Sequence, residues 1–384
     1  MKISVVGSIN MDMVVTAKRI PVKGETLHGS SFDLVPGGKG ANQAVAMARL
    51  GADVEMFGCV GNDPNGSALV ENLVKEGVAT EHLKKADGVP TGVALITVGE
   101  NDNTIVVVAG ANSCVDREYV DSIADELLKS DLVALQHEVP IDTIEYVVDL
   151  CSANGIPVML NPAPAAPLSH ETIEKITYLT PNEHEAKVLF DGAEDLEPLL
   201  EKYPEKLIIT LGAAGVVTCL KSGGMIQIPA RISHIVDTTG AGDTFNGAFA
   251  VRMSEGASID EALRFANIAA GMKKNGILNA DISRVLTYMG HTDRIAIGDC
   301  GLPIPDTTER IDLALRFGVP SFMEVLETVG ADMAVEKIIL AEEIKEQNPE
   351  VLSQILTYFE KTDRSCEVEY VSHAELKKLT ETCK

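Results

Sequence analysis

Through its first 270 residues the chain alternates short apolar runs with longer amphipathic ones. "ISVVGSI", "LVALQ", "IPVMLNP", "ITYLTP", "KLIITLG" and "GVVTCL" are apolar stretches bounded by Gly, Pro or Asn. Runs of this kind predict strands buried on both faces, as in a parallel sheet. "GGKGANQAVAMARLG" and "GNDPNGSALVENLVKEG" open on glycine or a turn and continue with helical patterning. The alternation predicts an α/β body, a mostly parallel sheet flanked by helices. Two stretches break the rhythm. "ETLHGSSFDLVPGG" and "TGVALITVGENDNTIVVVAGANS" are consecutive β-type pieces rich in Thr, Val and Gly, and they predict a small second sheet.

From about residue 272 the texture changes, and "MKKNGIL" reads like the start of a new chain. "RIAIGDCGLPIP" reads as a strand running into a Pro-rich loop. "ADMAVEKIILAEEIKEQ" places Ala331, Val335, Ile338 and Ile339 at helical spacing, and "PEVLSQILTYFEK" does so with Leu352, Ile355, Leu356 and Phe359. "CEVEYVSH" reads as a late strand. The expected organisation is one α/β domain over residues 1–271 and a second over 272–384.

Composition narrows the function. A hydrophobic fraction of 45% supplies real cores, but with 4% aromatics and no Trp, aliphatic residues and Met must fill them. The net charge of -25 argues against nucleic acid or an anionic membrane as partner, because both need a basic face. A phosphate ligand would then need local Lys, backbone N–H groups and a metal ion. The seven Cys are scattered with no CxxC pair, which suggests free thiols in a reducing cytoplasm and offers no zinc site. No run approaches the roughly 18 apolar residues of a membrane span.

The run "DTTGAGDTFNGAFA" is the most informative. Gly240, Ala241 and Gly242 sit just before an Ala-rich helix, where unsatisfied N–H groups favour a phosphoryl group. Asp243 falls in the first turn, placed either to accept a proton from an attacking hydroxyl or simply to start the helix. "PGGKGANQA" is a second glycine-rich helix start, with Lys39 and Asn42 able to bind a polyol. "GSINMD" reads as a strand end presenting Asn10 and Asp12 to vicinal hydroxyls, or as an ordinary turn.

Together with "NPAPA", "TPNEHEA" and "ITLGAAGV", these runs occur in the order found in ribokinases, and the first 270 residues resemble that branch of the PfkB-type sugar kinases. The resemblance implies a ribokinase-like fold with the small sheet as a lid. It also implies that D-ribose and ATP are the partners, with Mg2+ required and K+ as activator. Asp243 would be the catalytic base, with the Gly240, Ala241 and Gly242 backbone as the anion hole. Asn10, Asp12, Gly38, Lys39, Gly40, Asn42 and Glu138 would hold the sugar. Asn182 would serve the phosphates and Glu185 the magnesium through water; Thr210, Gly212, Gly215 and Asn267 would line the nucleotide site. Asp237 and Thr239 match part of the potassium site. Ribokinases continue past this helix with a Gly-Ala turn, a Pro and a last helix that are missing here.

From Met272 the chain resembles D-ribose pyranase, on "MKKNGILNADISRVLTYMGHTDRIAIGDCGLPIP", "RIDLALRFGVPSFMEVL" and "AEEIKEQNP". The two resemblances imply a gene fusion read through an old start codon. Opening a hemiacetal needs one group to take the anomeric proton and another to protonate the ring oxygen; His291, Asp299 and His373 are the candidates. The resemblance makes His291 the acid/base and Asp299 and His373 sugar contacts. It also implies a homo-oligomer, because pyranases form rings with sites between subunits. The last pyranase strand, with its Tyr-Ala-Asn run, is missing.

Overall fold

The computed structural model describes residues 1–100, 102–193, 195–230 and 240–271, then 282, 285–286, 293–298, 308, 310–313, 320–331, 333, 335–361 and 366–380. The chain divides into two compact units, with the main boundary between Gly271 and Met272.

In the first unit five parallel strands lie in the order Tyr178–Leu179, Val158–Asn161, Leu132–Gln136, Lys2–Val6, Asp53–Phe57. Side chains alternate between the two faces, and both faces are covered. Val6, Val133 and Leu135 pack into one core with the helices Arg117–Leu127 and Ile141–Ala153. Ile3, Val5, Leu132 and Ala134 pack into the other with Lys39–Arg49, Ala241–Ser254 and Ile259–Gly271. This is why the strands read as unbroken apolar runs. Single bridges, Leu179 to Leu207 and Asn182 to Thr210, carry the sheet on to the antiparallel strands Ile208–Thr210, Val216–Cys219 and Met225–Ile228.

The small sheet is present, in the order Gly29–Gly37, Asn10–Ala17, Gly92–Gly99, Asp102–Val108. Asn10 and Asp12 lie at the start of one of its strands, not at the end of the first strand of the main sheet as "GSINMD" suggested. The chain leaves the main sheet at Val6 and enters a new ladder four residues later, a switch with no signature in the apolar pattern. Phe32, Leu34, Leu95 and Ile105 to Val108 are exposed on this sheet.

In the second unit Lys337–Ala341 pairs in parallel with Glu367–Val371. The helical reading across Ala331, Val335, Ile338 and Ile339 is therefore corrected. Ala331 ends the helix Phe322–Ala331, and Ile338 and Ile339 lie in a strand. A short apolar run fits either period, and here the pairing with Glu367–Val371 decides. The helix predicted around Leu352, Ile355, Leu356 and Phe359 is found as Pro349–Lys361, with Ile355 and Phe359 buried. Residues 294–298, the "RIAIG" of that stretch, are not in a strand. A strand exists only within a hydrogen-bonded ladder, and among the described residues this unit's ladder joins 337–341 to 367–371 alone. No described helix is long and apolar enough to cross a membrane.

Candidate active site

In a parallel sheet the carboxyl ends of the strands point their following residues into a common crevice. Ser8 follows Lys2–Val6, Glu138 follows Leu132–Gln136, Asn161 closes Val158–Asn161, and Thr180 and Asn182 follow Tyr178–Leu179. The helix Lys39–Arg49 starts at the same end. Its Lys39 N–H donates to Glu138 Oε2 at 3.0 Å, and its Gly40 N–H donates to Ser8 Oγ at 3.3 Å. Ser8 Oγ in turn donates to Glu138. Gly38 has φ +91°, and a Cβ there would lie 2.8 Å from Asn10 N and 2.9 Å from Ser8 O. The glycine run thus lets the helix start press onto the strand that carries Asn10 and Asp12. Asn10 Oδ1 accepts from Asn112 Nδ2 at 2.7 Å, so its acceptor is already aimed.

Asp243 sits at the third position of the helix Ala241–Ser254, whose cap, Gly240, is left-handed at φ +82°. Among the described residues, a Cβ added at Gly240 or Gly242 would meet nothing within 4 Å. Four residues on, Gly247 packs so tightly on the Lys39–Arg49 helix that a Cβ would lie 2.7 Å from Ala46 Cβ. That crossing brings Asn42 and Gln43 against Asp243. Asn42 Nδ2 donates to Oδ2 and Gln43 Nε2 to Oδ1, each at 3.1 Å. Burial pushes the Asp243 carboxyl above the ordinary aspartate range; Lys39 and the two amides act against that shift, and Glu138 adds to it. Lys39, Asn42, Glu138 and Asp243 therefore share one site.

Lys39 also acts on Glu185, whose carboxyl burial raises. Asn182 and Glu185 form a capping box on the helix Glu183–Leu189 that engages one side-chain oxygen of each. A carboxylate penalised by burial gains from a nearby cation, so Glu185 fits a magnesium ion held through water. Among the described residues no three His, Cys, Asp or Glu gather as a metal cage. Thr210 bridges to Asn182. Gly212 and Gly215 have φ +55° and +95°, and Gly215 lies against Ile228 O. Asn267 is buried, and its Nδ2 donates to Pro229 O at 2.7 Å. These five residues line one end of the extended sheet, but Asn267 already has a structural role there. His373 is exposed in the second unit, with its backbone N–H donating to Glu343. Asp237, Thr239, His291 and Asp299 lie outside the described residues.

The pattern of the pfkB family carbohydrate kinases matches residues 1–273. The chain belongs to this family. The kinase body is 49% identical to the ribokinase of Bacillus subtilis strain 168 over 270 residues, which is 70% of this chain and 92% of that protein. It is 34% identical to a deoxyribokinase of Salmonella typhi over 286 residues, 72% of this chain and 93% of that protein. The structure of Arabidopsis thaliana ribokinase complexed with ribose and ATP superposes with a TM-score of 0.68 at 31% identity, covering 75% of this chain and 99% of that one. The RbsD / FucU transport protein family matches residues 272–384.

Sequence reasoning missed much of the kinase's supporting shell: Ser8, Gln43, Asn112, Gln136, Asn161, Thr180, Asn246 and Gly247. Most lie at predicted strand ends or one turn into predicted helices; for all but Gly247, burial of a polar side chain is the signal that patterning could not supply. His137, directly after the strand Leu132–Gln136, is 5% exposed, and neither ring nitrogen makes a hydrogen bond of normal geometry. Burial pushes it down to about 4, with the Pro164 carbonyl the only opposing influence. A depressed histidine keeps its full stability contribution above 6.5 and loses it as pH falls toward 4. Acid denaturation should therefore show a loss of up to about 3 kcal/mol across this window. His137→Gln is expected to flatten it in urea melts taken at stepped pH.

Proposed function

We propose that the chain transfers the terminal phosphoryl group of ATP to the 5-hydroxyl of D-ribose. The observation that carries this reading is Asp243, a buried carboxylate in the first turn of the helix Ala241–Ser254, held by the Asn42 and Gln43 amides. In the proposed step Asp243 takes the hydroxyl proton as the sugar oxygen bonds to phosphorus and the bond to ADP breaks. The Gly240, Ala241 and Gly242 N–H groups, at the positive end of the helix, would hold the charge on the transferring group. Asn10, Asp12, Gly38, Lys39, Gly40, Asn42 and Glu138 would orient the sugar. Asn182, Thr210, Gly212, Gly215 and Asn267 would receive the nucleotide, and Glu185 its magnesium. Greater identity to a ribokinase than to a deoxyribokinase favours ribose as acceptor.

The 272–384 domain is proposed to interconvert ribopyranose and ribofuranose, supplying the form the kinase consumes; its RbsD / FucU match supports this. The proposed setting is the cytoplasm, consistent with Cys59, Cys151 and Cys219 as buried free thiols. The proposed state is a homo-oligomer. The test is ADP release by the full chain with ribose, ATP, magnesium and potassium, beside NMR exchange between pyranose and furanose. ADP release without exchange would leave the second domain as an assembly module, and neither activity would overturn the enzymatic reading.

A further inference from the structure

The Gln43 side chain is fully buried, yet all its polar capacity is directed. Its Nε2 donates to Asp243 Oδ1 at 3.1 Å and to Asn161 Oδ1 at 3.3 Å. Its Oε1 accepts from Gln136 Nε2 at 2.8 Å. The amide cannot turn over. Flipped, its oxygen would face a carboxylate and another amide oxygen, and its nitrogen would face the Gln136 nitrogen. The chain of bonds continues: Asn161 Nδ2 donates to Thr180 O at 3.0 Å, Thr180 Oγ1 to Asn246 Oδ1 at 2.5 Å, and Asn246 Nδ2 to Gly242 O at 2.8 Å. It begins on the Asp243 carboxylate and closes on the carbonyl of the residue before it. Every side chain in it is buried, and only its closing residue, Gly242, is exposed.

We propose that Gln43 is a positioning residue for phosphoryl transfer, holding the Asp243 carboxylate in one rotamer through an amide chain anchored at Gln136 and closed on Gly242. This rests on the reading of Asp243 as the base. Asn42, the other donor to Asp243, is only half-buried and stands among the sugar candidates, so Gln43 is the interior clamp. A neutral amide suits this role, because it fixes the carboxylate without neutralising it as a lysine or arginine would. The charged groups acting on Asp243 are Lys39, which favours its ionised form, and Glu138, which opposes it. Both remain when Gln43 is changed.

The test is Gln43→Met, which keeps the volume and removes the donor, with Gln136→Met as a second variant one bond further back. Two readouts are taken. The first is the pH dependence of kcat and KM. The second is the titration of the Asp243 carboxyl by infrared difference spectroscopy, with Asp243→Asn as the blank. In Gln43→Met, kcat should fall about a hundredfold with ribose KM unchanged. The acid limb and the carboxyl titration should both move to higher pH, because the ionised form has lost a donor. Gln136→Met should shift them less, in the same direction. An unshifted titration in Gln43→Met overturns the proposal whatever the turnover. Absence of ribose-dependent ADP release by the wild-type chain overturns the kinase reading separately, and the titration still decides whether Gln43 governs Asp243.

Discussion

Asp243→Ala is expected to lower ribose-dependent ADP release by about 10²- to 10⁴-fold, the range lost when a positioned general base is removed. Ribose binding, measured by calorimetry, should change little, since the sugar candidates lie on other elements. The thermal midpoint should hold or rise. Burial raises the Asp243 carboxyl, so its ionised form weakens the fold at neutral pH, and removing it relieves that penalty. Lost turnover in a protein that melts no earlier is the signature of a base held under electrostatic strain. Turnover within tenfold of wild type would remove Asp243 from that role.

Gly38→Ala is expected to have the second largest effect, on both binding and stability. The residue holds φ +91°, and a Cβ would lie 2.8 Å from Asn10 N, 2.9 Å from Ser8 O and 3.0 Å from Ile9 Cα. All three are backbone atoms, so no side chain can swing aside. Backbone strain and overpacking together cost about 2 to 4 kcal/mol, read as a lower urea midpoint. Displacing Asn10 should also raise the ribose KM. Gly212→Ala is the matched control: at φ +55° with nothing within 4 Å of its Cβ, it should cost only about 1 to 2 kcal/mol.

The α/β body was legible because its strands are buried on both faces, and such strands announce themselves as unbroken aliphatic runs. The small sheet was legible from its Thr, Val and Gly content, but the place where the chain enters it was not. Asn10 follows Val6 too closely for the pattern to mark the change of ladder. Ile338 and Ile339 show the same limit, since three or four aliphatics in a row satisfy a strand and a helix equally. Within the site, Asp243 and the glycines could be found because each occupies a helix start, where chemistry and backbone coincide. Gln43 could not. It lies one residue past Asn42 on an Ala-rich helix, and its meaning depends on Gln136, Asn161 and Asp243, none of which is near it in sequence. Gly247 reads in the sequence as an ordinary helix residue, yet the missing side chain at that point lets the two helices close and puts amides on the carboxylate.

The bond from Gln43 to Asp243 spans 200 residues, and that from Asn42 spans 201. At a ribosomal pace of about 5 to 20 residues per second, the helix that carries the amides leaves the exit tunnel roughly 10 to 40 seconds before the carboxylate it must meet. In that interval Gln43 can find Gln136 and Asn161 but not its charged partner. The turn that carries Asp243 is thus among the last pieces of the first unit to be synthesised, and it arrives at a socket already lined with oriented amides.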